Sequence, residues 1–397
     1  MLIRCRSRRA GDIRPNPTTG PTNEPSGRRL FVGSVAALAG TVTLLSGCVR
    51  FDPTQDQPFT EVPSRGIAQT TTTPPPPLPG KPFPKQCAAD GVMQGCLEAT
   101  SGLIMGSDGK TALVAERATG AVKEIATSAE PKVKTTIPVD PSGDGGLSDI
   151  VLSPSYQQDR LMYAYISTPT DNRVIRIADG DVPKDILTGI PKGPNGNAGS
   201  LAFISPTTLV VQTGTGGNPA AANDPNSLAG KVIRIEQPTT IDQAAPTTAI
   251  SGLGDGGAMC VDAANGALYV TDRSPVGDRL QKLTKDGKIT TVWTWPDKPG
   301  VAGCAALDSS VMVNLVFNQT TVVVRQNPET GAVTGDPEVL RQKEQHGHVR
   351  ALKLSADGNV WGGSINKDFG TATPTEDVVF PLFPKGGGFP RANDDLD

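Results

Sequence analysis

Glu344, His346, His348 and Arg350 fall at alternate positions near the C-terminal end of the chain, and the two histidines are the only ones it has. On an extended strand alternate side chains share a face, so these four would point one way. Three kinds of chemistry fit such a row: a solvated polar strand end, a site for an anion or other ligand, and a zinc site of two imidazoles and one carboxylate. Asp140, Asp144 and Asp149 lie on a Gly-rich loop and offer carboxylates either to calcium or to solvent; their spacing is not that of an EF-hand. Gly214-Thr215-Gly216-Gly217 is glycine-rich but does not join a strand to a helix, as a phosphate loop must. Gly-x-Ser-x-Gly, His-Glu-x-x-His and Cys-x-x-Cys are all missing.

The ends of the chain say where such groups would work. Arg4, Arg6, Arg8, Arg9, Arg14, Arg28 and Arg29 precede an apolar run from Leu30 to Leu45, which ends in Leu45-Ser46-Gly47-Cys48. A basic region, a short apolar run and small residues before a cysteine predict a bacterial lipoprotein signal over residues 1–47. Cys48 would carry the lipid and hold the protein to the outer face of the cell membrane. Arg28-Arg29-Leu30-Phe31 also permits twin-arginine export. Residues 48–86 read as the lipidated cysteine and a tether. Thr70 to Thr73 run into Pro74 to Pro77, a composition that favours extended polyproline II and cannot pack a core.

Loss of the leader removes seven of 37 basic and two of 40 acidic residues, leaving a net charge of about −8. An acidic domain lacks the electrostatic footprint of a nucleic-acid binder. A monomer is expected, with a sugar, a glycan or an envelope protein as its ligand. Four cysteines remain past Cys48, an even number in an oxidising compartment. Of three connectivities, Cys87–Cys96 with Cys260–Cys304 is the expected one; four buried thiols are the alternative.

Residues 87–397 form the folded part. Six segments read as a turn followed by an apolar strand: Asp108 to Val114, Asp159 to Tyr165, Pro206 to Val211, Asn265 to Val270, Asp308 to Val313 and Asp357 to Trp361. They recur about every 50 residues. Alternating strands follow several of them, as in Arg173 to Ile177, Lys231 to Ile235 and Arg279 to Leu283. A repeat built from strands and turns predicts an all-β, six-bladed propeller; a pair of β-sandwiches is the structural competitor.

The wording of the repeats resembles the soluble quinoprotein glucose/sorbosone dehydrogenases. Gly196-Asn197-Ala198-Gly199-Ser200-Leu201-Ala202-Phe203 is similar to that family's His-Asn-Gly-Gly-x-Leu-x-Phe, and Leu228 to Ile235 to its Leu-x-Gly-Lys-Ile-x-Arg-Ile. Asp144 to Pro154 and Gly252 to Pro275 resemble two further family elements in the same order. The resemblance implies a PQQ-dependent oxidoreductase acting on a sugar or alcohol, with the quinone on a calcium ion at the top of the channel. It implies His348 and Arg350 as grips for the quinone carboxylates, and the Ser274 and Pro275 carbonyls as calcium ligands. Gly196 stands at the family's catalytic histidine and Gly254 at its arginine, so the base must come from elsewhere. Asp149, Asp255 and His348 are the candidates. A propeller that binds a ligand or protein without turnover is the alternative.

Overall fold

A computed structural model describes residues 87–382, apart from 179, 242, 342–344, 371, 372 and 374. The leader, Cys48, the tether and Glu344 lie outside the described residues.

Six antiparallel sheets follow one another along the chain, each in simple sequential order. The first holds β1 (Thr100–Met105), β2 (Thr111–Glu116), β3 (Ala121–Ala126) and β4 (Lys132–Thr136). The second holds β5 (Leu147–Leu152), β6 (Leu161–Ser167), β7 (Asn172–Ala178) and β8 (Lys184–Ile190). The third holds β9 (Gly199–Ser205), β10 (Thr208–Thr213), β11 (Val232–Glu236) and β12 (Thr247–Ile250). Next come β13 (Met259–Val261), β14 (Leu268–Ser274), β15 (Gly277–Leu283) and β16 (Ile289–Trp295), then β17 (Val301–Leu307), β18 (Ser310–Leu315), β19 (Thr320–Arg325) and β20 (Glu338–Arg341). The sixth sheet is β21 (Val349–Leu354), β22 (Val360–Ser364) and β23 (Val379–Pro381).

The first strand of every sheet touches the first strands of the sheets on either side, β21 meeting β1, so the ring is closed. This is a six-bladed β-propeller. The six turn-and-strand repeats are the entries to the second strands, and the alternating segments are third strands. Second strands are sandwiched between neighbouring blades: β10 and β18 are buried along their whole length. That double burial selects unbroken apolar runs such as Val311-Met312-Val313. Fourth strands lie at the rim, and β4 is largely exposed.

Each gap between blades carries its own apolar core. Tyr163, Tyr165 and Val174 pack against Leu201, Leu209 and Val211 between the second and third blades. Tyr269 and Leu280 pack against Val311, Val313 and Val322 between the fourth and fifth. Met93, Leu97, Leu103 and Val114 meet Trp361 and Val379 where the last blade joins the first. A single blade could not bury both faces, so these stacked interfaces hold the ring together.

The N-terminal segment completes the closure. The Met93 amide donates to the Val379 carbonyl (2.8 Å), and the Val379 amide donates to the Gln94 carbonyl (2.8 Å), placing residues from the two ends of the domain edge to edge. Both expected disulfides are present. Cys87–Cys96 staples this segment, and Cys260–Cys304 joins β13 to β17 across two blades. Among the described residues no helix is long and apolar enough to cross a membrane.

Candidate functional site at the channel mouth

First strands converge on the axis, and there is room there only for small side chains. A β-carbon at Gly257 would strike the Thr271 carbonyl, and one at Gly303 the Arg350 carbonyl. A narrow axial cavity of about 50 Å³ remains, with Ser101, Asp149, Ser200, Met259, Cys304 and Arg350 on its wall, one from each first strand.

At one end the channel opens into a second cavity of about 220 Å³. Arg117, Asp144, Arg273, Phe317, Arg350 and Phe369 form most of its wall. Arg350 borders both cavities and so marks the floor of the mouth. Arg117, Phe317 and Phe369 follow the ends of second strands, and Arg273 lies at the end of β14. Asp144 comes from the loop leading into β5.

The two acids of the mouth are already engaged. Asp144 accepts from the Gly196 amide (3.0 Å), the Asn197 amide (3.0 Å) and Asn197 Nδ2 (2.8 Å). Asp368 holds Arg117 in a two-pronged ion pair, both contacts at 2.7 Å. That pairing raises the Arg117 pKa above its usual value. Arg117 also donates to the Gly145 carbonyl at 2.6 Å.

Arg273 and Arg350 differ. Arg273 Nε donates to the Val301 carbonyl (2.8 Å), and its guanidinium lies 5.4 Å from the centre of the Phe317 ring. Arg350 Nη2 donates to Ser148 Oγ at 3.1 Å. Among the described residues neither has a carboxylate at ion-pair distance. Burial, and after it the charge of Arg350, pulls Arg273 down to about 10. Burial and then Arg117 lower Arg350 as well. The floor of the mouth thus holds two guanidiniums without a direct ion-pair partner among the described residues, beneath a T-shaped pair of phenyl rings, Phe317 and Phe369, 6.3 Å apart. Asp278, Asp144 and Asp255 act on Arg273, and Asp144, Asp368 and Asp149 on Arg350, only at longer range.

The C-terminal row of polar residues is not a strand face. β21 begins only at Val349, and His346 and Gly347 take left-handed backbone angles of +69° and +63°, which break the alternation. His346 packs on Phe380, whereas His348 is buried and stacks flat under Phe369 at 3.7 Å. His348 Nδ1 donates to the Val316 carbonyl (2.9 Å), and Nε2 accepts from Gln319 Nε2 (2.9 Å). Both ring nitrogens are occupied, so the imidazole props a mouth ring and offers no lone pair to a metal or substrate. Of the row's described residues, Arg350 is the one that lines the mouth.

Asp149 sits in the axial channel below Arg350. It accepts from the Ile150 amide (2.9 Å), Ser200 Oγ (2.9 Å) and the Leu201 amide (2.8 Å), and burial raises its pKa. Asp255 accepts from the Thr215 hydroxyl beside Gly196. Asp140 is paired with Lys192 at 2.9 Å, so Asp140, Asp144 and Asp149 do not converge on one point. The Pro275 carbonyl accepts from the exposed Lys298 ammonium. Among the described residues no three His, Cys, Asp or Glu side chains group as metal ligands.

Residues 97–278 match the glucose/sorbosone dehydrogenase family. Over that span, less than half of the chain, the sequence is similar to that family. Its sequence is 22% identical to the aldose sugar dehydrogenase YliI of Escherichia coli K12 over 278 residues, 55% of this chain and 74% of that protein. The fold is shared with the PQQ-bound aldose sugar dehydrogenase of Streptomyces coelicolor, at a TM-score of 0.64 and 23% identity over 73% of this chain and 95% of that one. It is shared too with the apo aldose sugar dehydrogenase of Escherichia coli, at 0.59 and 17% over 73% and 98%.

Arg117, Arg273, Asp368, Phe317 and Phe369 were not among the site residues expected from sequence. A signal for three of them existed: Arg117, Arg273 and Phe317 each lie at or just past the end of an apolar repeat strand. Nothing in the sequence marks Asp368 or Phe369.

Proposed function

We propose that this chain is an extracytoplasmic lipoprotein, anchored through Cys48, whose dehydrogenase-like propeller binds a ligand at the channel mouth without oxidising it. Leu103-Ile104-Met105-Gly106 and Trp293 to Pro299 resemble the mycobacterial lipoprotein LppZ, which supports the envelope placement. The observation that carries the binding reading is at Gly196. The position of the family's proton acceptor has no side chain, and its space is taken by Asp255 and Thr215. Loss of a general base costs about 10² to 10⁴ in rate. The mouth meanwhile keeps its cations and rings.

PQQ is the cofactor that the resemblance offers. Arg350 and Arg273 suit its carboxylates, and the Phe317 and Phe369 rings suit a flat ring system. When bound, such a quinone supplies a hydride acceptor. Calcium is not accommodated at Pro275, where Lys298 already donates.

A second reading, a PQQ-dependent oxidoreductase on a sugar or alcohol, is favoured by one observation: a β-carbon at position 196 would lie 2.7 Å from Asp255 Oδ1, so a carboxylate stands where the base belongs. The test is to add PQQ, with and without Ca²⁺, to the purified protein and follow quinone absorbance and dye reduction with aldoses. Uptake without dye reduction, or no uptake, is expected from the binding reading. Dye reduction that disappears in Asp255→Asn establishes the oxidoreductase instead.

A further inference from the structure

The charge balance of the mouth narrows the class of ligand. Of its three guanidiniums, Arg117 is neutralised by Asp368. The carboxylate of Asp144 accepts from three N–H donors of the Gly196–Asn197 turn, and its charge reaches all three guanidiniums only through space. Among the described residues Arg273 and Arg350 have one protein acceptor each, the Val301 carbonyl and Ser148 Oγ. A guanidinium carries five N–H donors in a fixed fork, so most of their hydrogen-bonding capacity is free. Both border the cavity. The nearby carboxylates act on these two cations only through space, so the unused donors of both forks remain available to a ligand in the recess, and planar forks favour carboxylate or phosphate.

The upper wall asks for something different. Phe317 and Phe369 are 54% and 37% exposed, unusual for aromatic side chains that already pack against each other. Arg273 rests against the Phe317 ring and His348 backs Phe369, so both rings are braced. Braced, exposed phenyl rings offer an apolar surface for the C–H face of a ring-shaped ligand. A recess of about 220 Å³ that opens to solvent has room for a single sugar ring.

We propose that the mouth binds an anionic monosaccharide, its acidic group held by Arg273 and Arg350 and its ring against Phe317 and Phe369. This rests on the reading of the mouth as the working site and adds the charge of the ligand.

Saturation-transfer NMR and calorimetric titration of the full chain test it, with glucose, glucuronate and glucose 6-phosphate as probes and PQQ as competitor. Glucuronate or glucose 6-phosphate should bind and glucose should not; the preferred one tells carboxylate from phosphate. Binding should weaken as NaCl is raised. Arg350→Gln should weaken it about tenfold to a hundredfold, as expected for loss of a charged hydrogen-bonding partner. Arg350→Lys should recover part of the loss, and the exposed Arg234→Gln should change nothing. Phe369→Ala should weaken binding without altering its salt dependence. Circular dichroism separates a binding loss from misfolding, and the salt series on the unaltered protein stands without any variant. Equal binding of glucose and glucuronate at the mouth would leave the binding reading intact and overturn this one. No binding of any of the three probes at 10 mM would also overturn this proposal.

Discussion

Asp255 fills the space in front of Gly196. A β-carbon built on Gly196 would come within 2.7 Å of Asp255 Oδ1 and 3.0 Å of Thr215 Oγ1, and Gly196 itself has a left-handed φ of +68°. The space that a side chain at position 196 would need is therefore filled and not vacant. An imidazole placed there alone should fail: Gly196→His carries about 1–2 kcal/mol of left-handed strain and displaces a hydrogen-bonded carboxylate. Its Tm is expected to fall well below that of the parent, and Gly196→His combined with Asp255→Gly should recover part of the loss. Thermal unfolding of the three proteins decides this. A single variant as stable as the parent would show that the space is free.

Gly254 is more tightly closed. A β-carbon there would run into the Arg273 carbonyl and come within 2.7 Å of Ser274 Cα, both backbone atoms of β14 that cannot swing aside. The Gly254 amide also donates to buried Asp272 at 2.6 Å. Gly254→Ala should cost about 3 kcal/mol, near the upper end for forced overpacking. It should lower the denaturation midpoint more than Gly335→Ala, where nothing lies near the added carbon and the backbone is not left-handed, although both remove a glycine. Chemical denaturation compares them.

The blades were legible in the sequence because second strands are buried on both faces and must be apolar throughout; Leu209-Val210-Val211 and Val311-Met312-Val313 announce themselves. First strands were not, since Val301-Ala302-Gly303-Cys304-Ala305-Ala306 follows the crowding at the axis and shows no simple alternation. The mouth was only half visible. Arg350 was found through its family motif, but the partnership of Arg273 with Phe317, or of Arg117 with Asp368, joins residues 44 and 251 positions apart. His348 misled because two positive-φ residues ahead of it turn the chain, and one of them, His346, is not a glycine.

Asp149 gives the fold a pH signature. Burial holds its folded pKa above the ordinary 3.8, so the folded state keeps its proton longer than the unfolded chain. For a raised carboxyl, stability is greatest below the unfolded pKa and declines as pH rises toward the folded one. Asn cannot ionise. The Tm difference between Asp149→Asn and the parent should therefore move in favour of the variant between pH 4 and 7, by about 2–4 °C for every tenfold difference in proton affinity between the folded and unfolded chain. Scanning calorimetry across that range measures it; a difference independent of pH would mean that Asp149 ionises in the fold as it does in water.

The two disulfides should contribute unequally. Cys260–Cys304 closes a loop of 44 residues and ties β13 to β17, first strands of adjacent blades, whereas Cys87–Cys96 spans nine residues within the N-terminal segment. In the loop-entropy account the longer bridge restrains the unfolded chain more, by about 4 kcal/mol against about 3. The contrast should be larger in effect than those values suggest. Loss of Cys260–Cys304 loosens a seam of the ring, while the segment stapled by Cys87–Cys96 is also held by the Met93, Gln94 and Val379 backbone bonds and by the burial of Met93 and Leu97. Replacing Cys260 and Cys304 together by Ala should thus lower Tm more than replacing Cys87 and Cys96, with the double replacement close to additive because the pairs lie on different blades. Equal losses would mean that the N-terminal staple carries the closure of the ring by itself.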